Sequence, residues 1–334
     1  SEPSITASVA NTTKMTPFIP LRSSSKIAIA ALSGPIRDIE AYHAGVDILT
    51  KRYDIAYAHA LSLNAKGKAE TDRLYPKYLS NTDKGRIAEF NHVVDLDVDA
   101  IILARGGYGL LPIVSSLSLP KRNIPIIGFS DVTILHAAWR NKPVTTLHGP
   151  VVTQLPKITE ADQNALFDYL ENKAAAPFEI RITPIESAEQ IAPGRYTSLD
   201  DGSPLVVSGG NLATLASLSG TSIAARYANT VLFIEDINEA PYQIDRMLTQ
   251  LVLSSDISQV RGIILGDFIY NGKPIPSETI LHIIRRAFKT PLQNTKARRD
   301  IPPLFGYVAS GHANRNTPIP LGEPACLSIR DTLR

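Results

Sequence analysis

The stretch 124–139, IPIIGFSDVTILHAAW, limits the fold more than any other part of this chain. Pro125, Ile126 and Ile127 form a short apolar run suited to a buried strand. Gly128-Phe129-Ser130-Asp131 then breaks the run. Ile134, Leu135, Ala138 and Trp139 follow at helical spacing. The same strand–turn–helix unit recurs upstream. Residues 26–32 (KIAIAAL) read as a strand, Ser33-Gly34-Pro35 as a turn, and the segment to about Arg52 as a helix. Residues 54–58 suggest a second strand, and Asn81-Thr82-Asp83 can cap a helix reaching Val94. Residues 99–104 form a third strand, which ends at the turn 105–109 (RGGYG). Strands alternating with helices predict an α/β fold whose parallel sheet is covered on both faces. Sites in such sheets lie beyond the carboxyl ends of the strands. The turn 105–109 and Ser130 both occupy such ends.

A serine between a buried strand and a helix has two readings. It can be a nucleophile lifted off the sheet by an elbow, with the next amide facing a developing oxyanion. It can equally be a plain helix N-cap. The motif departs from GxSxG, since Val132 stands at the final glycine position. The glycine turn suggests backbone N–H groups near Ser130. A dinucleotide loop is its sharper competitor, but Gly106-Gly107-Tyr108-Gly109 does not make GxGxxG and Pro112 interrupts the helix that should follow.

A nucleophilic serine needs a base, and the base an orienting carboxylate. His43, His92 and His282 fall in helical patterns, His59 follows a strand, and His136 shares the elbow helix but should point away. His148, near a strand end, is a second-rank candidate. His312 lies in the close-packed loop Ser310-Gly311-His312-Ala313-Asn314. Glu235 closes the apolar run Val231-Leu232-Phe233-Ile234, which places it at the mouth of the fold. Asp236 and Glu239 suit a different role, as carboxylates at the N-terminus of the helix starting near Pro241.

At 334 residues the chain predicts two domains. We expect a tail over 1–25, a nucleophile domain over 26–165, a connector over 166–204 and a C-terminal domain over 205–334. Net charge is +2 with no basic block, which argues against nucleic acid as a partner. The single cysteine, Cys326, excludes an intrachain disulfide and a cysteine-based zinc site. No apolar run approaches the ~20 residues needed to span a bilayer. The Ser-, Thr- and Pro-rich start lacks the apolar core of a signal peptide. Because the chain begins at Ser1, a removed export signal stands as an alternative to initiator-Met trimming.

Taken in order, several segments resemble the bacterial LD-carboxypeptidases, also called muramoyltetrapeptide carboxypeptidases. They are Ser33-Gly34-Pro35, Arg105 to Gly109, Gly128 to Thr133, His148-Gly149-Pro150, Gly209 to Leu212, Glu235-Asp236 through Tyr242 to Leu248, and Gly311-His312. The resemblance implies a parallel-sheet N-terminal domain of the glutamine-amidotransferase type and a smaller β-rich C-terminal domain. It implies a triad of Ser130, Glu235 and His312, with oxyanion donors from the amides of Asp131 and of Gly106 or Gly107. Arg105 and Tyr108 become candidate substrate contacts. The implied reaction splits the bond between meso-diaminopimelate and terminal D-Ala of a murein tetrapeptide, free or linked to sugar or nucleotide, during peptidoglycan recycling. A homodimer is implied and no cofactor or metal. The location implied is cytoplasmic, with a periplasmic one as the alternative. Around Asn238-Glu239-Ala240-Pro241 the chain departs from the family pattern of Gly and paired prolines. Two alternatives keep the scaffold: a microcin C-type self-immunity peptidase cleaving aminoacyl-nucleotide conjugates, and a non-catalytic murein-peptide binding protein.

Overall fold

A computed structural model describes residues 16–61, 76–185, 194–292 and 300–329. Five strands of the first half build one sheet: β1 Lys26–Ala30, β2 Asp54–Ala58, β3 Ala100–Leu103, β4 Pro125–Gly128 and β5 Thr145–His148. They are parallel and run in the order β2-β1-β3-β4-β5. The order reverses between β1 and β3, and crevices at such reversals are where open α/β sheets bind ligands.

The central strands β1, β3 and β4 are almost wholly apolar because helices cover both faces. One face (Ala28, Ala30, Ile101, Leu103, Ile126) packs against Phe90, Val93 and Val94 of helix α2, Asp83–Asp95, and against Ile134 and Leu135 of α3, Thr133–Ala138. The alternate residues Ile27, Ile29, Ile102 and Ile127 meet Tyr42 and Leu49 of α1, Ile39–Thr50, and Leu166, Phe167 and Leu170 of α4, Glu160–Leu170.

The second sheet holds β6 Phe178–Pro184, β7 Gly194–Tyr196, β8 Val207–Asn211, β9 Val231–Ile237, β10 Gly262–Tyr270, a short β11 Lys273–Pro274, β12 Leu304–Tyr307 and β14 Ala325–Ile329. Its order is β7-β14-β6-β12-β10-β9-β8, with β11 paired to β10. Helices α5 Leu212–Ser217, α6 Pro241–Ser254 and α7 Ser277–Phe288 cover one face through Leu248, Leu251, Ile280 and Ile284. Two features were not foreseen. Residues 178–184 and 194–196, within the expected connector, are strands of this sheet. The intervening strand β13, Ile319–Leu321, returns to the first sheet and pairs antiparallel with β5, Ile319 opposite His148. The last segment therefore stitches the two sheets together, which apolar patterning cannot reveal because β13 reads like any short strand. Among the described residues no helix is long and apolar enough to cross a membrane.

Candidate active site

The chain leaves β4 at Gly128 and must enter α3 within a few residues. It does so with Ser130 at φ +63, the left-handed region, which costs a residue with a Cβ about 1–2 kcal/mol. Gly128 is required here, since a Cβ on it would come within 2.8 Å of Val132 Cγ2. Val132 thus packs over the first glycine of the motif, in place of a second glycine. Phe129 and Asp131 are buried while Ser130 stays partly exposed. Helix α3 begins at Thr133, with Val132 at its cap position and no side-chain cap bond. Ser130 is therefore not its N-cap, and the sharp turn has the form of an elbow.

The turn after β3 closes over this serine. A Cβ on Gly106 would lie 2.9 Å from Ser130 Cβ and 3.0 Å from its Oγ, so only glycine permits the approach. Gly107 has φ +104. Gly34 N–H donates to Gly106 O at 2.9 Å, bridging the crevice between β1 and β3. Asp131 ties the parts together: its Oδ2 accepts Ser33 Oγ–H at 2.6 Å and Leu110 N–H at 3.0 Å. Burial pushes this carboxyl up to about 6, against the pull of those two bonds.

Arg86 is a support that sequence reading missed. Its guanidinium is fully buried and donates to Leu32 O at 2.7 Å, to Gly109 O and to Asn81 O at 3.1 Å, with exposed Asp83 as its carboxylate partner. One side chain thus holds the loops after β1 and β3. Nothing in the pattern of α2 marks it, because an arginine on a helix normally faces water. Arg86→Met leaves buried carbonyls without a donor and should destabilise the protein by about 3 kcal/mol, read as a lower urea midpoint at unchanged slope.

The second half supplies a carboxylate and an imidazole. Glu235, two residues before the end of β9, is 0% exposed, and its Oε2 lies 2.8 Å from His312 Nδ1. A carboxylate on Nδ1 holds the proton there and leaves Nε2 basic. Asn211 Nδ2 donates to Glu235 Oε1 at 3.2 Å and to Asp236 Oδ1 at 3.1 Å. Burial opposes a charged His312. The charge and hydrogen bond of Glu235, with Asp236 and Asp267 behind them, outweigh it and hold the imidazole above its ordinary value.

The two halves meet at this point. The His312 ring lies 4.6 Å, centroid to centroid, from Phe129, the residue before Ser130. Its loop is held on the first half by Gln154 Nε2 to Gly311 O at 2.8 Å and by a bidentate Arg315–Asp162 pair at 2.8 and 3.0 Å. Asn316 adds bonds to Gln154 and Asp162. On the other side Asn211 N–H donates to Thr133 Oγ1 at 3.1 Å.

Residues 27–149 match the LD-carboxypeptidase N-terminal domain, and residues 206–327 the LD-carboxypeptidase C-terminal domain. A probable murein peptide carboxypeptidase of Bacillus subtilis is 30% identical over 265 residues, 76% of each chain. The chain belongs to the LD-carboxypeptidase family. Its members are serine-type carboxypeptidases, and this chain is such a hydrolase. The murein tetrapeptide carboxypeptidase of Pseudomonas aeruginosa is 28% identical over 75% of this chain and 80% of its own. Among solved structures, the microcin C7 self-immunity protein MccF in complex with aspartyl sulfamoyl adenosine shares the fold. Its TM-score is 0.68 and its identity 19%, over 94% of this chain and 96% of that one.

The remaining candidates of this LD-carboxypeptidase lie apart from Ser130 and His312 or have other partners. His148 is wholly buried between Phe129 and Phe233, with ring centroids at 5.7 and 4.8 Å, and burial keeps it neutral. His136 is buried, its Nε2 on Gly128 O at 2.8 Å, and His59 pairs with Glu89 at 2.8 Å. Asp236 corrects an expectation: it receives Ala213 N–H at 2.8 Å, so it serves the N-terminus of α5, whereas α6 begins with Gln243 Oε1 accepting Ala240 N–H. Burial, then neighbouring Glu235, push Asp236 up to about 7. Arg105 Nη1 donates to Pro35 O at 2.7 Å. Tyr108 is 47% exposed and meets Tyr78 edge-on at 5.8 Å.

Proposed function

We propose that this LD-carboxypeptidase removes terminal D-Ala from murein tetrapeptides, cutting the bond to meso-diaminopimelate, in the recycling of peptidoglycan peptides. The observation that carries the reading is the pair of buried Glu235 and partly exposed His312, packed on Phe129, the residue before a serine held at φ +63. Ser130 Oγ attacks the carbonyl and His312 Nε2 takes its proton. Glu235 stabilises the imidazolium. The amides of Asp131 and of Gly106 or Gly107 stabilise the oxyanion. His312 then protonates the leaving D-Ala amine, and a water activated by the same imidazole releases the tripeptide from Ser130. Arg105 binds the terminal carboxylate, a pairing to which a planar guanidinium is suited, and Tyr108 lines the approach. Relatives of murein specificity at about 30% identity support this substrate. The microcin-type alternative has fold likeness alone.

Mass spectrometry of products from a murein tetrapeptide and an aminoacyl-adenylate, incubated in parallel, tests it. The expected products are tripeptide and free D-Ala, with the adenylate left intact. An untouched tetrapeptide beside a cleaved adenylate overturns the substrate assignment, and no cleavage of either favours a binding protein.

A further inference from the structure

His312 is held from a direction that the triad does not use. Asp267 follows Gly266 on β10, next to β9 and Glu235 in the sheet. Its N–H donates to Ser310 O at 3.0 Å, and its carboxylate accepts the N–H of Ala313. These two bonds fall on either side of Gly311-His312. Gly311 lies against the same side chain: a Cβ on it would come within 2.9 Å of Asp267 Cβ and Oδ2, and its φ is +152. Asp267 Oδ2 is itself buried and has no hydrogen-bond partner among the described residues. A buried carboxylate oxygen left unpaired is costly, and neither the packing of β10 nor the triad accounts for it.

We propose that Asp267 is a positioning residue for His312, clasping the loop on both sides of the imidazole and placing a second negative charge behind the Glu235–His312 pair. The proposal rests on the reading of His312 as the base. Charged and titratable groups reach this cluster from every side: Glu235 and Asp236 on β9, Asp267 on β10, Arg315 from the loop, and His148 from the first sheet. Burial pushes the Asp267 carboxyl up to about 6; the Ala313 bond works against this and Glu235 adds to it. In its ionised form the carboxylate favours the protonated imidazole. By linking the loop to β10, Asp267 also keeps Gly311 and Ala313 at fixed spacing while the ring between them exchanges protons.

The test compares wild type, Asp267→Asn and Asp267→Ala. Asparagine keeps an acceptor for Ala313 N–H and removes only the charge; alanine removes both. The readouts are the titration of the His312 ring by NMR in the free protein and the pH dependence of kcat/KM for D-Ala release. In Asp267→Asn the His312 midpoint should fall by about half to one pH unit, and the acidic limb of kcat/KM should move down with it. Asp267→Ala should show that shift and also lose kcat on the plateau by roughly tenfold to a hundredfold at unchanged KM, since a slack loop misplaces the base. An identical His312 midpoint in wild type and Asp267→Asn overturns the charge role. A wild-type plateau in Asp267→Ala overturns the clasp. If wild type itself leaves the tetrapeptide uncut, the reading of His312 as the base of that reaction fails, and the NMR titration still decides the part played by Asp267.

Discussion

Ser130→Ala is expected to reduce release of D-Ala by roughly 10⁴-fold or more, with thermal stability close to wild type. The chemical half follows from the mechanism, because alanine has no oxygen to form the acyl-enzyme, and the residual rate would come from binding and the oxyanion donors alone. The structural half follows from the backbone. Ser130 sits at φ +63, and alanine carries the same Cβ into the same strained turn, so the strain is neither added nor relieved. Ser130→Gly separates the two effects. It should be equally inactive yet more stable by about 1 kcal/mol, because glycine populates the left-handed region without penalty. Calorimetry alongside a D-Ala assay checks both. A Ser130→Ala protein that turns over within tenfold of wild type sinks the nucleophile assignment. A Ser130→Gly protein less stable than wild type would show that the turn is not held under strain.

The middle of the first sheet was legible because β1, β3 and β4 are short apolar runs buried on both faces, each broken by Gly, Ser or Arg-Gly. The pattern that defines β3 and β4 also places the turn 105–109 and Ser130 at carboxyl ends. Glu235 stood out as the first polar residue after an apolar run, though β9 continues past it to Ile237. The supports were not legible. Asn211 stood out only within the segment Gly209 to Leu212, although its amide donates to both Glu235 and Asp236. Gln154 and Asp162 belong to the first half and act on the loop of His312 in the second, a relation that separation along the chain conceals. Arg86 looks like a surface residue until its buried carbonyl partners are seen. Asp236 was read as a helix-end carboxylate, correctly in kind, but assigned to the following helix and not to α5. Strand ends are written in local composition; the side chains that brace them depend on which loops meet in space.

Glu235→Gln is the second large effect expected, a fall in kcat of about 10³- to 10⁴-fold with KM little changed. The argument is one of donors and acceptors. Glu235 accepts on both sides, Oε2 facing His312 Nδ1 and Oε1 facing Asn211 Nδ2. A glutamine amide can accept on one side only. With its NH₂ toward Asn211 two donors meet in a buried site, and Asn211 cannot turn over freely, because its Oδ1 already accepts Thr214 N–H at 3.1 Å and Thr214 Oγ1–H at 2.8 Å. The glutamine NH₂ is therefore directed at His312. It then donates to Nδ1, the ring proton moves to Nε2, and the nitrogen that should take the serine proton is already occupied. The imidazolium also loses the charge that stabilises it, so the His312 midpoint should fall. NMR of the ring nitrogens would report the proton on Nε2 in the variant and on Nδ1 in wild type. A variant with wild-type kcat, or with its proton still on Nδ1, removes Glu235 from the mechanism.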